Sequence, residues 1–274
     1  MRVDDHSAGI QFAEITWRDG ARLKMEYQWV GASRSEQPVL VFLHEGLGSI
    51  ALWKDFPEKF CRDHGLAGLV FSRYGYGQST PRPAAERWPV GFMHEQAHEV
   101  LPAFLSHLGI QNPWLFGHSD GASIALLYAA RFSDRLSGIV VAAPHIFVED
   151  ITIDSIRAAR DVYLTQDLRS RLARYHASAD SAFWGWNDVW LDPAFRAFNI
   201  EDELGAITCP VLALQGANDE YGTLEQVHGI QRKIPAAQVV VLPDCGHSAH
   251  RDQPEALSRE AARFITCATK KCGQ

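Results

Sequence analysis

The spacing of apolar and polar positions changes several times along the chain, and each change predicts a new helix or strand. Residues 11–30 alternate around Asp19 and Gly20, which predicts a β-hairpin with a tight two-residue turn. Four short apolar runs follow that have the length of buried strands: 38–43, 66–71, 114–116 and 136–143. Helical spacing separates them, at 51–64, 92–108 and 122–130. This alternation predicts a parallel sheet with helices on both faces.

The alternation stops after residue 147, and no strand pattern is visible until residue 209. The intervening segment carries three stretches of helical character: 151–163, 165–177 and the tryptophan-rich 183–190. Strand patterns resume at 209–215 and 238–242, and a last helix is predicted at 253–268. A helical insertion of this size between two strands of one sheet is typical of a lid.

These patterns together predict an α/β fold. We expect a mainly parallel, doubly wound sheet of about eight strands with an N-terminal antiparallel hairpin. Residues 1–147 and 206–274 form the predicted core. Residues 148–205, which we call the cap segment, form the predicted all-helical cap inserted late in the sheet.

Composition narrows the class of protein without naming a reaction. Of 274 residues, 46% are hydrophobic and 22% charged, as in ordinary globular proteins, and the net charge of -7 argues against nucleic acid as a partner. No apolar run approaches the roughly 20 residues of a membrane span. The N-terminus lacks the apolar core of a signal peptide, and the five scattered cysteines indicate reduced thiols, so we expect a cytoplasmic protein that binds no membrane. Nothing predicts a metal or organic cofactor, and the oligomeric state stays open.

The motif Gly117-His118-Ser119-Asp120-Gly121 carries the first chemical signal. An apolar strand leads into it and a run rich in alanine and leucine leads out, so the chain turns sharply with a serine at the apex. The small residues two positions before and after allow that turn to close, and strained backbone geometry presents the hydroxyl above the sheet edge. Ser119 is therefore the predicted nucleophile.

A serine hydroxyl needs a base, and the base needs an acid to orient it. Reactive groups of an α/β sheet gather at the carboxyl ends of its strands. Asp219 is the first carboxylate after the strand at 209–215, and His247 follows the strand at 238–242. The order serine, aspartate, histidine is that of the serine-elbow enzymes. Glu220 competes as the acid, and His250 competes as the base.

These features resemble the α/β-hydrolase superfamily over essentially the whole chain. The resemblance implies that the elbow falls on residues 117–121, the acid on Asp219 and the base on His247. Members with other chemistries, such as haloalkane dehalogenases, place an aspartate at the apex. A serine there implies acyl transfer or a related reaction at a carbonyl.

The oxyanion hole needs two backbone N–H groups. One is expected from Asp120, the residue after the nucleophile, and the other from the loop at residues 44–48. Relatives usually read His-Gly-x-Gly there, but this chain has Glu45 after His44. The second donor is therefore Gly46 or Glu45, and we favour Gly46. We expect the Glu45 carboxylate to turn away or to bind Arg73.

The leading hypothesis is a serine hydrolase that cleaves a small-molecule ester through an acyl-enzyme. A carbon–carbon bond hydrolase of ring-cleavage products and an acyl-CoA thioesterase are alternatives, and a non-catalytic receptor is the hypothesis from another class. Trp184 and Trp186 either form the core of the cap or line a pocket for compact apolar or aromatic substrates. His44 either joins that pocket or holds its loop through its ring nitrogens.

Overall fold

A computed structural model describes residues 9–33, 38–83 and 85–272, and the outer ends of the predicted core lie outside it. One sheet contains eight strands in the described residues, with the order β1-β2-β4-β3-β5-β6-β7-β8. The strands are β1 (Gln11–Trp17), β2 (Ala21–Gly31), β3 (Leu40–Leu43), β4 (Ala67–Phe71), β5 (Trp114–His118), β6 (Gly138–Ala142), β7 (Val211–Gly216) and β8 (Gln238–Leu242). Strands β3 to β8 run parallel, and β2 joins β1 and β4 antiparallel. The predicted fold class is confirmed.

The turn of the N-terminal hairpin is longer than predicted. Trp17 pairs with Ala21, so three residues, Arg18–Gly20, form the connection as one turn of 3-10 helix. Gly20 has φ +81°, the left-handed conformation that closes three-residue hairpin loops. The expected two-residue turn is therefore wrong, because the loop has a third residue, Gly20, whose left-handed backbone reverses the chain.

The helices flank the sheet. Before the cap segment they are α1 (Phe56–His64), α2 (Phe92–Glu95), α3 (Leu101–His107) and α4 (Asp120–Phe132). A π-helical turn, Gln96–Val100, joins α2 to α3. Pro102 lacks an N–H for an ordinary helical bond to residue 98, and the widened turn accommodates this loss. The helix predicted at 51–64 begins instead as a 3-10 turn, Ile50–Trp53, and breaks at Lys54, which has φ +57°.

Helices occupy the cap segment between β6 and β7. They are α5 (Asp150–Thr165), α6 (Leu168–Leu172), α7 (Ala179–Trp190) and α8 (Glu201–Leu204). The second of them is shorter than the predicted 165–177. Its predicted last residues bind a distant loop instead: the Gly77 N–H donates to His176 Nδ1 (2.9 Å), and the Gly77 carbonyl accepts from the Ala177 N–H (2.7 Å). These contacts hold residues 176 and 177 outside the helix.

The remaining helices cover the last strands. They are α9 (Glu225–Lys233), α10 (Ala249–Asp252) and α11 (Pro254–Cys272). Buried apolar side chains form one cluster on each face of the sheet, and the larger cluster continues into α7 of the cap segment. None of the described helices combines the length and apolarity needed to cross a bilayer. The carboxyl ends of β5, β7 and β8 therefore meet beneath a helical layer.

Candidate active site

Ser119 lies at a sharp turn between β5 and α4. Its backbone has φ 53° and ψ -120°, a conformation that a non-glycine residue rarely adopts. Both glycines of the motif are sterically required. A Cβ on Gly117 would collide with the backbone of Gly121, and a Cβ on Gly121 would collide with the carbonyl of Leu43. The small residues of the motif therefore let the turn close and let β3 approach it.

Ser119 and the residues predicted as base and acid lie in one hydrogen-bonded chain. Ser119 Oγ lies 2.9 Å from His247 Nε2, and His247 Nδ1 lies 2.9 Å from Asp219 Oδ1. The N–H of Tyr221 (2.9 Å) and the amide of Gln215 (3.1 Å) also donate to the Asp219 carboxylate. Burial is the largest single effect and opposes ionisation of Asp219, but the hydrogen bond and charge of His247 together with the Tyr221 N–H outweigh it and lower the pKa of this carboxyl. The arrangement allows His247 to accept the hydroxyl proton of Ser119.

The competing acid and base lie in other positions. Glu220 Oε2 accepts from the backbone N–H of His247 (3.0 Å) and so holds the loop rather than the imidazole. The ring of His250 packs 4.9 Å from that of Trp53, and burial lowers the pKa of His250 to about 3. His118 lies beneath the elbow, where its Nε2 donates to the carbonyl of His247 (2.9 Å). These contacts favour structural roles for all three.

Residues 44–48, the 44–48 loop, lie beside the elbow, as required of a second oxyanion donor. The carbonyl of Glu45 accepts from His44 Nδ1 (2.7 Å), Arg73 Nη2 (2.9 Å) and the Gly48 N–H (3.1 Å). The Glu45 carboxylate turns toward His118, with Oε2 3.6 Å from Nδ1. Of the two courses expected for the Glu45 carboxylate, binding to Arg73 is not seen, because Arg73 binds the backbone carbonyl of Glu45 instead.

Both ring nitrogens of His44 hold this loop. Nε2 accepts from the Arg73 N–H (2.9 Å), so the proton lies on Nδ1, which donates to Glu45. Burial and the neighbouring Arg73 cation lower the pKa of His44 well below its usual range, so the ring is neutral. The ring is fully buried. These contacts favour the loop-fixing role of His44 over a place in the substrate pocket.

The two tryptophans predicted for the pocket differ in position. Trp186 is buried, and its indole lies so close to Gly46 that a Cβ there would collide with it. Trp184 packs on rings of the cap segment itself, 5.5 Å from Tyr163 and 5.1 Å from Phe183. Trp186 thus covers the 44–48 loop, whereas Trp184 packs within the cap segment.

Trp190 is a site residue that the sequence reasoning missed. Its indole Nε1 donates to Asp120 Oδ1 (3.2 Å). Trp190 lies four residues after Trp186 on α7, on the same helix face, and this spacing was the available signal. The buried Asp120 carboxyl has its pKa raised to about 6 by loss of hydration, which the Arg73 cation opposes. The cap segment therefore contacts both residues expected to supply the oxyanion donors.

Two further rings flank His247. Tyr221 lies 4.7 Å away and His145 5.7 Å away, measured between ring centroids. Burial, with the nearby His247, lowers the pKa of His145 to about 3, so His145 is neutral near pH 7. The side chains around the nucleophile leave little access to water: Ser119 is 7% exposed and His247 8%. The reacting side chains are thus largely shielded from solvent.

Comparison with known proteins identifies the family of this chain. The sequence model of the alpha/beta hydrolase fold matches residues 38–183, and the chain belongs to this family. A proline iminopeptidase of Thermoplasma volcanium is 22% identical in a match that covers 87% of this chain and 92% of that protein. Other relatives are named as hydrolases or as 2-succinyl-6-hydroxy-2,4-cyclohexadiene-1-carboxylate synthase, and family and relatives together support hydrolase activity.

Solved structures share the fold. A thermophilic esterase from Thermogutta terrifontis has a TM-score of 0.73 at 20% identity, covering 94% of this chain and 99% of that one. The enol-lactonase from Burkholderia xenovorans has a TM-score of 0.72 at 19% identity, covering 93% and 100%. At this level of identity the likeness concerns the fold, so the bond cleaved must be argued from the site.

Proposed function

We propose that the protein is a serine hydrolase that cleaves small carboxylic esters through an acyl-enzyme. The chain Ser119–His247–Asp219, joined at 2.9 Å and 2.9 Å, is the observation that carries this proposal. A nucleophile bonded to a base that is itself oriented by a carboxylate is the arrangement that activates a serine. The strained backbone of Ser119 supports the same role.

The reaction proceeds in two halves. His247 Nε2 accepts the hydroxyl proton while Ser119 Oγ attacks the ester carbonyl, and Asp219 stabilises the imidazolium. The tetrahedral intermediate collapses, and His247 returns the proton to the leaving alcohol. Water then attacks the acyl-enzyme with His247 again as base, releasing the acid and restoring Ser119.

Backbone N–H groups of Asp120 and Gly46 stabilise the oxyanion in this proposal. Asp120 begins the helix that follows the nucleophile, so its N–H and the positive helix end face the same region. Gly46 is favoured over Glu45 because the Glu45 carbonyl is held by three donors, which fixes the peptide that carries the Gly46 N–H. Two such donors account for several kcal/mol of transition-state stabilisation.

The substrate class follows from the covering of the site. Trp186 packs on Gly46 and Trp190 on Asp120, the two proposed oxyanion donors, and Ser119 is nearly excluded from water. We therefore propose compact apolar or aromatic esters rather than long-chain lipids. A cytoplasmic location and a small-molecule partner, without nucleic acid or membrane, belong to the same proposal and rest on composition.

Covalent labelling combined with turnover tests the proposal. Wild-type protein and Ser119→Ala are assayed on p-nitrophenyl acetate, benzoate and octanoate, and a fluorophosphonate probe is mapped by peptide mass. We expect labelling of Ser119 and a fall in kcat of roughly 10⁴-fold or more in Ser119→Ala. Ser106→Ala, at an exposed serine, serves as the matched control. Full activity of folded Ser119→Ala, or labelling elsewhere, would refute the assignment.

A further inference from the structure

Arg73 is a buried cation that contacts Asp120 and the carbonyl of the Glu45–Gly46 peptide, whose N–H is the second proposed oxyanion donor. Its side chain is almost completely buried, and its guanidinium lies 4.6 Å from the centre of the Tyr76 ring. Nη2 donates to the Glu45 carbonyl (2.9 Å) and lies 3.9 Å from Asp120 Oδ2. One guanidinium therefore lies between the 44–48 loop and the first residue of α4.

The Glu45 carbonyl accepts three hydrogen bonds, more than the single bond that closes a turn. Besides Arg73, it accepts from His44 Nδ1 at 2.7 Å and from the Gly48 N–H at 3.1 Å. The peptide unit is planar and trans, so its N–H points opposite to its carbonyl. Fixing the Glu45 carbonyl in this way fixes the direction of the Gly46 N–H. A charged donor on the carbonyl also polarises that N–H, because linked hydrogen bonds strengthen one another.

Burial of this guanidinium calls for a physical explanation. Among the described residues, Arg73 Nε and Nη1 have no hydrogen-bond partner, and burying a cation without full pairing is unfavourable. A positive charge at this position gains interaction energy when negative charge develops on the substrate oxygen nearby, because the surroundings have a low dielectric constant. The unfavourable burial of the Arg73 charge before the reaction would thus be offset when the oxyanion forms.

We propose that Arg73 is a positioning residue that orients and polarises the Glu45–Gly46 peptide as the second oxyanion donor. This inference rests on the proposed function, since it assigns a role within the same site. Arg73 acts through the peptide and does not touch the substrate. Its contribution therefore appears in the transition state and leaves ground-state binding largely unchanged.

The test compares Arg73→Met and Arg73→Lys with Arg82→Met. Arg82 is a second buried arginine of the same region, and it donates to the carbonyl of Pro83 rather than to the 44–48 loop. On p-nitrophenyl acetate we expect kcat to fall about 10²-fold in Arg73→Met, close to the loss of one oxyanion donor, with KM changed less than about 3-fold. In Arg73→Lys we expect kcat to fall about 10-fold, because lysine keeps the charge but lacks the planar, forked guanidinium. Arg82→Met should keep wild-type kcat.

A pair of inhibitors separates positioning from structural damage. Phenethyl trifluoromethyl ketone forms a tetrahedral oxyanion on a serine, whereas phenethyl methyl ketone binds without one. In Arg73→Met the inhibition constant of the first should rise by the same factor by which kcat/KM falls, while that of the second stays constant. Equal weakening of both ketones, or a folded Arg73→Met with wild-type kcat, would overturn the inference.

Failure of the inference is distinguishable from failure of the proposed function. If Ser119→Ala retains turnover, the proposed hydrolase mechanism fails whatever Arg73 does. If Ser119→Ala is inactive and both Arg73 variants keep wild-type kcat, the role of Arg73 alone is refuted. Near-ultraviolet circular dichroism and thermal unfolding identify folded variants. Should Arg73→Met fail to fold, Arg73→Lys with the ketone pair decides the question.

Discussion

Substitution of Gly46 by alanine tests the contact between the cap segment and the 44–48 loop. A Cβ at this position would overlap Nε1 and Cδ1 of the Trp186 indole and lie 3.1 Å from its Cε2. The backbone at Gly46 lies outside the left-handed range, so alanine adds no backbone strain. The indole is rigid and buried, and it cannot swing into solvent as a flexible side chain would. The effect of Gly46→Ala is therefore steric.

The magnitude follows from overpacking at a buried contact. Inserting one methyl group costs about 1–3 kcal/mol in the free energy of unfolding. Trp186→Ala by itself removes a large buried ring and costs about 3–5 kcal/mol. In the double variant the added methyl occupies the space vacated by the indole, so its penalty disappears. We expect a coupling free energy of about 1–3 kcal/mol in the stabilising direction.

Urea unfolding of the wild type, both single variants and the double variant measures this coupling. Ester turnover is followed in parallel, since a shift of about 1 Å in the 44–48 loop can cost about 10²-fold in rate. Gly205→Ala is the matched control, because Gly205 has φ -62° and no atom within 4 Å of an added Cβ. If Gly46→Ala matches this control in stability, or if the two site substitutions are additive, the indole does not pack on Gly46.

Three further predictions address the acid, a buried carboxyl and the substrate pocket. Asp219→Asn should reduce kcat far more than Glu220→Gln, because the asparagine amide favours the wrong tautomer of His247. The reverse order in steady-state assays would assign the role of the acid to Glu220. The pKa of Asp120 is raised to about 6, chiefly by burial, so its folded form keeps the proton while the unfolded form loses it near pH 4. This carboxyl therefore lowers the free energy of unfolding as the pH rises from about 4 to 6, and urea unfolding should show a smaller fall over that window in Asp120→Asn; parallel curves would contradict the shift. Trp186→Ala should change kcat/KM selectivity among acetate, benzoate and octanoate esters, whereas Trp184→Ala should change stability alone. Unchanged selectivity in both would place the substrate pocket elsewhere.

Much of the fold could be predicted because its signals are local. The apolar runs at 66–71 and 238–242 are strands, and the second has the predicted bounds. Parallel strands bring their carboxyl ends to one edge of the sheet, so loops far apart along the chain could be expected to meet there. The same rule selected Asp219 and His247 as neighbours of Ser119, and the structure brings these three side chains within hydrogen-bond distance.

Features that depend on contacts between distant residues were decided by the tertiary structure alone. His176, predicted to lie near the end of a helix at 165–177, lies outside it and pairs with Gly77, a residue 99 positions away. The direction of the Glu45 carboxylate depends on His118, and Arg73 binds the carbonyl of Glu45 rather than its side chain. Local periodicity records which face of an element is buried but carries no information on which side chain lies opposite. That choice is made when buried polar groups find partners across the folded chain, and here it set the surroundings of the nucleophile.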